Sequence, residues 1–381
     1  MQYRILGARV EEAVSALGYG CMRLPTLGAS ERIDRELAVR LLRSAVDEGV
    51  NYVDTAYSYH EGMSERLVGE ALADGYRERV LLATKMPVWL VEGAADFDRY
   101  LHEQLCRLST DYLDVYLLHS LNRERWEKVA ALDVLDWAVR KREEGTIRYI
   151  GFSFHGPLRD FRQIIDAWGS WDLCQIQYNF MNVAHQAGHA GLHYAAERGV
   201  GVVIMEPLLG GVLAAPPEPV RRMWEEHDAT RRPAEWAFRW LWSQPEVGTV
   251  LSGMGSLRDV EENLLFAERS SIEPIPPEEL VLYEQVRRGY ESLSSIPCTT
   301  CEYCLPCPNG IDIPGNFSIY NTARFQDQIW FGQAEYERKP EAERAGSCQD
   351  CGECLEKCPQ EIAIPERLRE VHSTLSFPGE G

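Results

Sequence analysis

Clustered basic residues are missing from this chain. Its 39 Lys and Arg are outnumbered by 59 Asp and Glu, and the net charge of −20 is spread without a basic block. Nucleic acid and anionic membrane surfaces are therefore not expected partners, since both recruit clustered cations. Long apolar runs are missing too: none reaches the roughly 18 residues of a spanning helix. The opening residues, Met1-Gln2-Tyr3-Arg4-Ile5-Leu6-Gly7, carry neither a signal-peptide apolar region nor a twin-arginine element. These absences predict a cytoplasmic protein, whose thiols stay reduced. Cysteine is scarce along most of the chain, with Cys21, Cys106 and Cys174 scattered and the other eight all after residue 297. In a reducing compartment such cysteines are metal ligands or buried thiols rather than a disulfide framework. The three scattered ones read as core thiols, with Cys21 at an active-site mouth as the lesser alternative.

At 381 residues the chain exceeds one average domain, although an α/β barrel alone takes about 250. Up to about residue 270, short apolar runs alternate with segments of helical period. The candidate strands are Ala16–Tyr19, Tyr52–Asp54, Val80–Ala83, Val115–Leu118, Ile147–Ile150, Cys174–Gln177, Val202–Met205 and Thr249–Leu251. Continuous apolarity, without alternation, fits strands buried on both faces of a parallel sheet. Between them, Ile33, Leu37, Leu41 and Ala45 recur every four residues, as a helix requires. Leu101, Leu105 and Leu108 do much the same, and Val129, Leu132, Leu135 and Val139 predict a third helix that Gly145 stops. Eight strand–helix pairs predict a closed (β/α)₈ TIM barrel, of class α/β. A doubly wound open sheet is the runner-up, but Leu17-Gly-Tyr-Gly-Cys-Met-Arg lacks the G-x-G-x-x-G phosphate loop of that fold. The expected organisation is a barrel over 1–272, a proline-rich linker and amphipathic helix over 273–296, and a small cysteine-rich domain over 297–381.

The most specific signal lies in that last segment. Cys298-x₂-Cys301-x₂-Cys304-x₂-Cys307-Pro308 is followed by Cys348-x₂-Cys351-x₂-Cys354-x₃-Cys358-Pro359. Three thiolates two residues apart can wrap three corners of one Fe₄S₄ cube, and a distant cysteine must supply the fourth. Both runs resemble those of two-cluster bacterial ferredoxins, in which that fourth ligand belongs to the other run. The resemblance implies two 4Fe-4S clusters, one on Cys298, Cys301, Cys304 and Cys358, the other on Cys348, Cys351, Cys354 and Cys307. The first run has x₂ before its Cys-Pro where the ferredoxin pattern has x₃, which leaves the partner of Cys307 open. Structural zinc and a disulfide knot are the competing readings; zinc sites rarely take this many cysteines in a paired Cys-Pro rhythm.

Active sites of α/β barrels lie at the C-terminal ends of the strands. The second strand ends in Asp54-Thr55-Ala56-Tyr57-Ser58-Tyr59, the third in Thr84-Lys85 and the fourth in His119-Ser120. A carboxylate, a phenol, an ammonium and an imidazole at three successive ends can converge on one point. A free Tyr ionises near pH 10 and shuttles protons poorly at neutrality. A neighbouring Lys⁺ that lowered this by about 2 units would contribute roughly 2.7 kcal/mol. In this reading Asp54 holds Lys85, Lys85 acidifies Tyr59, and His119 orients a carbonyl oxygen. The bland alternative is a satisfied core ion pair beside a packed histidine; it suits any one of these residues better than all four together.

These stretches resemble the aldo-keto reductase family. Val53-Asp54-Thr55-Ala56-x-x-Tyr59, Ala83-Thr84-Lys85 and Leu117-Leu118-His119 match its catalytic tetrad, and the cysteine-rich tail is similar to that of a bacterial branch with a ferredoxin-like domain after the barrel. The resemblance implies hydride transfer from NADPH or NADH to an aldehyde or ketone, with Tyr59 as general acid. It also implies cofactor contacts from Ser153, Gln175, Met205, Leu208, Gly253, Glu262 and Asn263. The family's nicotinamide-side Asn is replaced by Phe154, and its stacking aromatic by Met205. The Lys and Arg that clamp a 2′-phosphate correspond to Gly253 and Asp259, leaving Arg258 and Arg231 or Arg232 nearby, so NADH is as well supported as NADPH. The expected partner is a small carbonyl or alcohol substrate. An electron-transfer protein is the partner under the alternative reading, in which the clusters exchange single electrons and the barrel has no simple nicotinamide dependence. The loop Trp89-Leu90-Val91-Glu92 and the 185–193 region are expected to shape the pocket. His185, His189 and His193 recur at four-residue spacing, as metal ligands on a helix can, but no carboxylate accompanies them at that spacing. Trp236, Trp240 and Trp242 read as core.

Overall fold

The computed structural model of the chain describes residues 1–27, 32–293, 296–325 and 328–377. It divides into two units: Met1–Pro207 with Phe238–Pro274, and Leu208–Ala237 with Ile275–Gly381.

In the first unit an antiparallel hairpin, β1 (Tyr3–Ile5) and β2 (Ala13–Ser15), precedes eight parallel strands. These are β3 (Leu17–Gly20), β4 (Tyr52–Asp54), β5 (Leu81–Met86), β6 (Leu113–Leu121), β7 (Ile147–Phe154), β8 (Leu173–Gln177), β9 (Gly201–Met205) and β10 (Val247–Ser252). They close in the order β10-β3-β4-β5-β6-β7-β8-β9. The expected barrel is borne out over the open sheet, and every residue of β5 and β6 is buried, as continuous apolar runs require.

Side chains fill the barrel interior. Tyr52, Leu81, Ala83, Val115, Leu117, Tyr149, Leu173, Val203 and Leu251 form one buried cluster with Leu6, Val10 and Val14 of the hairpin. The hairpin thus plugs the barrel at the strands' N-terminal end. Its backbone comes so close at Gly7 that a Cβ there would meet Gly201 N at 2.3 Å, and φ is +71°. Only glycine fits.

The outer helices follow local rules. Asp34 caps Arg35–Asp47 by accepting from Leu37 N, and Ala38, Leu41, Leu42, Ala45 and Val46 form its buried face. Ile33 lies outside that helix, in an isolated bridge with Thr26, because the Asp34 cap starts the helix after it. The helix expected over 129–139 is two, Arg123–Ala130 and Val134–Glu143, split where Asp133 turns left-handed at φ 56°.

In the second unit, helices Glu218–Asp228 and Pro277–Ser292 pack through Trp224, Trp236 and Tyr283, whose hydroxyl donates to Trp236 O at 2.7 Å. The cysteine segment is built twice over. Cys307-Pro-Asn-Gly-Ile-Asp-Ile-Pro and Cys358-Pro-Gln-Glu-Ile-Ala-Ile-Pro each turn at the fourth residue, Gly310 or Glu361, with φ 77° and 52°. Each then buries two isoleucines and enters a helix, Ile313–Phe325 or Ile364–Leu375. Phe317, Tyr320, Tyr336, Leu368, Val371 and Leu375 make the core between the helices, and six of the eight cysteines (298, 307, 348, 354, 358 and the buried 304) belong to it or pack against it.

Candidate active site and cysteine centre

Strand alternation explains why the barrel candidates meet. Tyr52, Ala83, Leu117, Leu173 and Val203 point inward in the interior layer. Two residues further on, with the same orientation, stand Asp54, Lys85, His119, Gln175 and Met205. Ser153 follows Tyr149 by four, on the same face. All lie toward the strands' C-terminal ends.

Lys85 is 1 % exposed and Asp54 2 %. The ammonium spends its three protons on Asp54 Oδ1 at 2.6 Å, Thr55 O at 2.8 Å and the Tyr59 hydroxyl at 3.3 Å. Tyr59 opens a short turn in which His60 and Glu61 both take left-handed backbone, φ 48° and 55°, a strained geometry held by its surroundings. The ring stands edge-on to His119, centroids 5.9 Å apart, and Trp89 lies 5.0 Å from His119 on another side. Burial pushes the Asp54 carboxyl upward, against the pull of Lys85 and the Gln175 amide. Burial first, then Lys85, His155 and Arg125, hold His119 well below the usual histidine range, so at neutral pH it is an uncharged imidazole.

Among the described residues, Gln175 Oε1 is buried with no hydrogen-bond partner. Ser153 Oγ accepts from Ser120 N at 2.6 Å, which leaves its own proton to give. An acceptor and a donor at the ends of neighbouring strands suit a primary carboxamide. Asn263 is buried and donates to Ser252 Oγ at 3.0 Å, whereas Gly253 is exposed at the end of β10. Glu262 pairs with Arg258 at 2.9 Å. Asp259 closes the capping box of helix Leu257–Glu268, accepting from Ser256 N. Leu208 and Arg231 fall in the second unit, where Arg231 reaches Glu279 at 3.5 Å.

Several neighbours of these residues carry no motif in the sequence. His155, just past β7, and Arg125 both act on His119, and Arg125 donates to Ser120 O and Oγ at 2.8 Å. A titratable group just past a strand end was the available signal for His155. Behind Lys85, the fully buried Glu65 accepts from Thr84 Oγ1, Gln104 Nε2 and Arg107, and Gln104 also donates to Lys85 O at 3.0 Å. No local pattern marks that network. Cys21 and Cys174 are fully buried, but Cys106 is exposed, on the solvent side of helix Ala95–Leu108, whose buried face is Phe97, Tyr100, Leu101, Gln104 and Leu108. It is not a core thiol. Trp236 and Trp242 are core, and Trp240 is half-buried against Tyr178.

Two of the C-terminal thiols, Cys304 and Cys354, are acted on by cysteines of both runs. Burial first, then Cys301, Cys298 and Cys358, push the Cys304 thiol up, against a backbone hydrogen bond; burial also pushes Cys354 up, against a backbone hydrogen bond, with Cys348, Cys351 and Cys307 adding to it. Each set takes three members from one run and one from the other. The turns match as well: the residues flanking the middle cysteine have positive φ in both runs, Thr300 (52°) and Glu302 (63°) around Cys301, Asp350 (52°) and Gly352 (78°) around Cys351. Left-handed residues beside a ligating position are a feature of the backbone nests found at many iron–sulfur sites.

Comparison with known proteins gives a family for each segment. Residues 16–274 match the Aldo/keto reductase family, and residues 297–363 match a 4Fe-4S dicluster domain. The uncharacterized oxidoreductase YqkF of Bacillus subtilis is 26 % identical over 283 residues, covering 66 % of this chain and 86 % of that one. Pyridoxine 4-dehydrogenase of Escherichia coli is 27 % identical over 267 residues, covering 66 % and 89 %. Among solved structures, an aldo-keto reductase of Klebsiella pneumoniae in complex with NADPH superposes with TM-score 0.59 at 25 % identity, covering 76 % of this chain and 96 % of that one. The holo form of an aldo-keto reductase of Bacillus halodurans gives 0.58 at 27 %, covering 75 % and 96 %. No helix among the described residues is long and apolar enough to cross a membrane. This chain belongs to the aldo/keto reductase family and is an oxidoreductase whose barrel is followed by a 4Fe-4S domain.

Proposed function

We propose that the barrel reduces a small aldehyde or ketone, or oxidises the corresponding alcohol, with Tyr59 as the proton donor, and that the C-terminal segment carries two 4Fe-4S clusters. The observation that supports the first part is the Lys85 ammonium, 2.6 Å from Asp54 Oδ1 and 3.3 Å from the Tyr59 hydroxyl. A bound reduced nicotinamide supplies the hydride. His119, uncharged, donates one N–H to the carbonyl oxygen and fixes its direction. Tyr59 gives its proton to that same oxygen as negative charge develops there, and the phenolate it leaves is stabilised by Lys85. Asp54 holds Lys85 in place. Gln175 Oε1 and the Ser153 hydroxyl offer an acceptor and a donor to the nicotinamide carboxamide, with Met205 packing beside the ring. Gly253, Glu262 and Asn263 stand on the adenosine side. There the Asp259 carboxylate is fixed at the helix start and opposes a 2′-phosphate, so the reading takes NADH as well as NADPH.

The solved Klebsiella relative is in complex with NADPH, and the Escherichia coli relative is a pyridoxine 4-dehydrogenase. They support a small carbonyl or alcohol as the substrate class. For the clusters, the two crosswise groups of four thiols support Cys298, Cys301, Cys304 and Cys358 on one, and Cys348, Cys351, Cys354 and Cys307 on the other.

Tyr59→Phe tests the proposal. Carbonyl reduction with NADH or NADPH is expected to fall about 10²- to 10⁴-fold in kcat/KM, while iron content and cluster absorbance stay unchanged. Retained activity in that variant, or a wild-type protein that binds neither nucleotide, would refute the reductase reading.

A further inference from the structure

Helix Gly188–Ala196 carries two histidines four residues apart whose surroundings dictate their protons. His189 Nε2 and His193 Nε2 are 3.1 Å apart, with ring planes at 80°. The other nitrogen of each ring is engaged. His193 Nδ1 lies 3.1 Å from Glu246 Oε1, and an ionised carboxylate only accepts, so the Nδ1 proton is present. His189 Nδ1 lies 2.9 Å from the Tyr178 hydroxyl, which donates its own proton to Gln244 Oε1 at 3.0 Å. The Gln244 amide is fixed in that sense because its Nε2 donates to Trp240 O at 3.0 Å. Tyr178 therefore accepts from His189 Nδ1–H. These tautomers follow from the hydrogen-bond network, and they leave two Nε2 lone pairs facing each other with no hydrogen between them.

Facing lone pairs at this distance repel unless a cation lies between them. Metal–nitrogen bonds of 2.0–2.1 Å put two ligating nitrogens about 2.9 Å apart at a right angle and about 3.3 Å apart at the tetrahedral angle. The observed 3.1 Å falls between. Ligating histidines are also held by an outer hydrogen bond on the other ring nitrogen, the part that Glu246 and Tyr178 play here. His189 is exposed and the His193 side chain is 41 % exposed, so a cation can enter from solvent.

We propose that His189 and His193 form a two-histidine chelate for a divalent transition-metal ion of the zinc, nickel or copper(II) class, which imidazole suits. Glu246 and Tyr178 orient the ligands, and water completes the coordination. No third His, Cys, Asp or Glu joins the two histidines as a ligand among the described residues. The site is an open surface clip, unlike the closed four-ligand sites of structural zinc. Because it binds the folded helix only, occupancy raises stability by mass action.

The test titrates full-length, anaerobically purified protein, clusters in place, with zinc chloride by calorimetry. His189→Ala, His193→Ala and His193→Gln are compared with Glu246→Gln. Wild type is expected to bind one zinc per chain that each histidine variant weakens at least about ten-fold, and Glu246→Gln by about ten-fold. Zinc should raise the melting temperature of the wild type and leave that of the histidine variants unmoved. Should an alanine variant fail to fold, His193→Gln carries the comparison. Wild-type protein that takes up no zinc at millimolar concentration, or equal affinity in wild type and the folded histidine variants, overturns the proposal, and the pair then shares a proton.

Discussion

The two units hold reactive groups together by opposite means. At the barrel mouth, Asp54, Lys85 and Tyr59 already satisfy one another: every ammonium proton has an acceptor, and Glu65, Thr84 and Gln104 form a second polar network behind Lys85. In the cysteine segment thiols of both runs act on Cys304 and Cys354, beside turns with left-handed backbone, around a core of helices far smaller than the barrel. The first arrangement needs nothing from outside to keep its shape. The second draws together thiols whose ionisation burial opposes at Cys304 and Cys354, and which become soft anionic ligands only when iron binds them. A barrel site should therefore fail residue by residue, and the cysteine centre cluster by cluster.

The sharpest break of that contrast is in iron content. Single Cys→Ser changes do not reveal which run supplies a fourth ligand, because each removes one cluster whatever the assignment. Pairs do. With the crosswise sets, Cys298→Ser combined with Cys307→Ser strikes both clusters and should leave almost no iron or sulfide. Cys298→Ser combined with Cys358→Ser strikes one and should leave about half. Equal iron in the two double variants would sink the crosswise assignment.

On the barrel side the largest stability effect belongs to Lys85→Met. It strands the Asp54 carboxylate, 2 % exposed, without its cation, and removing one member of a buried pair costs about 3–5 kcal/mol. Chemical unfolding followed by tryptophan fluorescence measures the loss. Adding Asp54→Asn should recover part of it, since the stranded charge is gone. A double variant no more stable than the single one would mean that the cost comes from packing.

A smaller effect separates the units by pH. His119 and His155 have lowered values in the folded state, His155 about 4, with burial the leading cause, against about 6.5 when unfolded. Between those limits the unfolded chain binds protons that the folded barrel refuses, so stability rises with pH. It is complete above pH 6.5 and declines as the pH falls toward 4. Urea midpoints at pH 7 and pH 5, still above most carboxylates, should show the decline, and His155→Gln should reduce it. A slope unchanged in that variant would count against the assignment.

Much of this was readable from residue order. Eight apolar runs marked eight strands, and polar residues at their ends marked Asp54, Tyr59, Lys85 and His119 before any coordinates. What stayed hidden depended on contacts distant in the chain. The grouping of Leu208–Ala237 with the cysteine unit leaves no composition shift. The break at Asp133 follows from one left-handed residue inside a helical period, and the Glu65 network joins residues that no spacing relates. The histidine pair was visible at its four-residue spacing, but its meaning came from Glu246 and Gln244, two residues apart in the chain and remote from the helix. Proton positions are set by partners, and partners are set by the fold.

The finest test treats the two cysteine runs as one turn written twice. Glu302 and Gly352 occupy the same place, directly after the middle cysteine, at φ 63° and 78°. A residue with a Cβ resists that backbone by about 1–2 kcal/mol, and glycine does not. At position 352 a Cβ would meet nothing nearer than Leu355 Cδ1 at 3.7 Å, so space does not forbid it. Gly352→Ala should therefore lose about 1 kcal/mol through backbone conformation alone, and Glu302→Gly should gain about as much. The readout is the denaturant concentration that halves cluster absorbance in each variant. Shifts of opposite sign are expected. Shifts of the same sign would mean that the turns agree in dihedral angle but answer to different constraints, with the bound cluster overriding backbone preference in at least one of them.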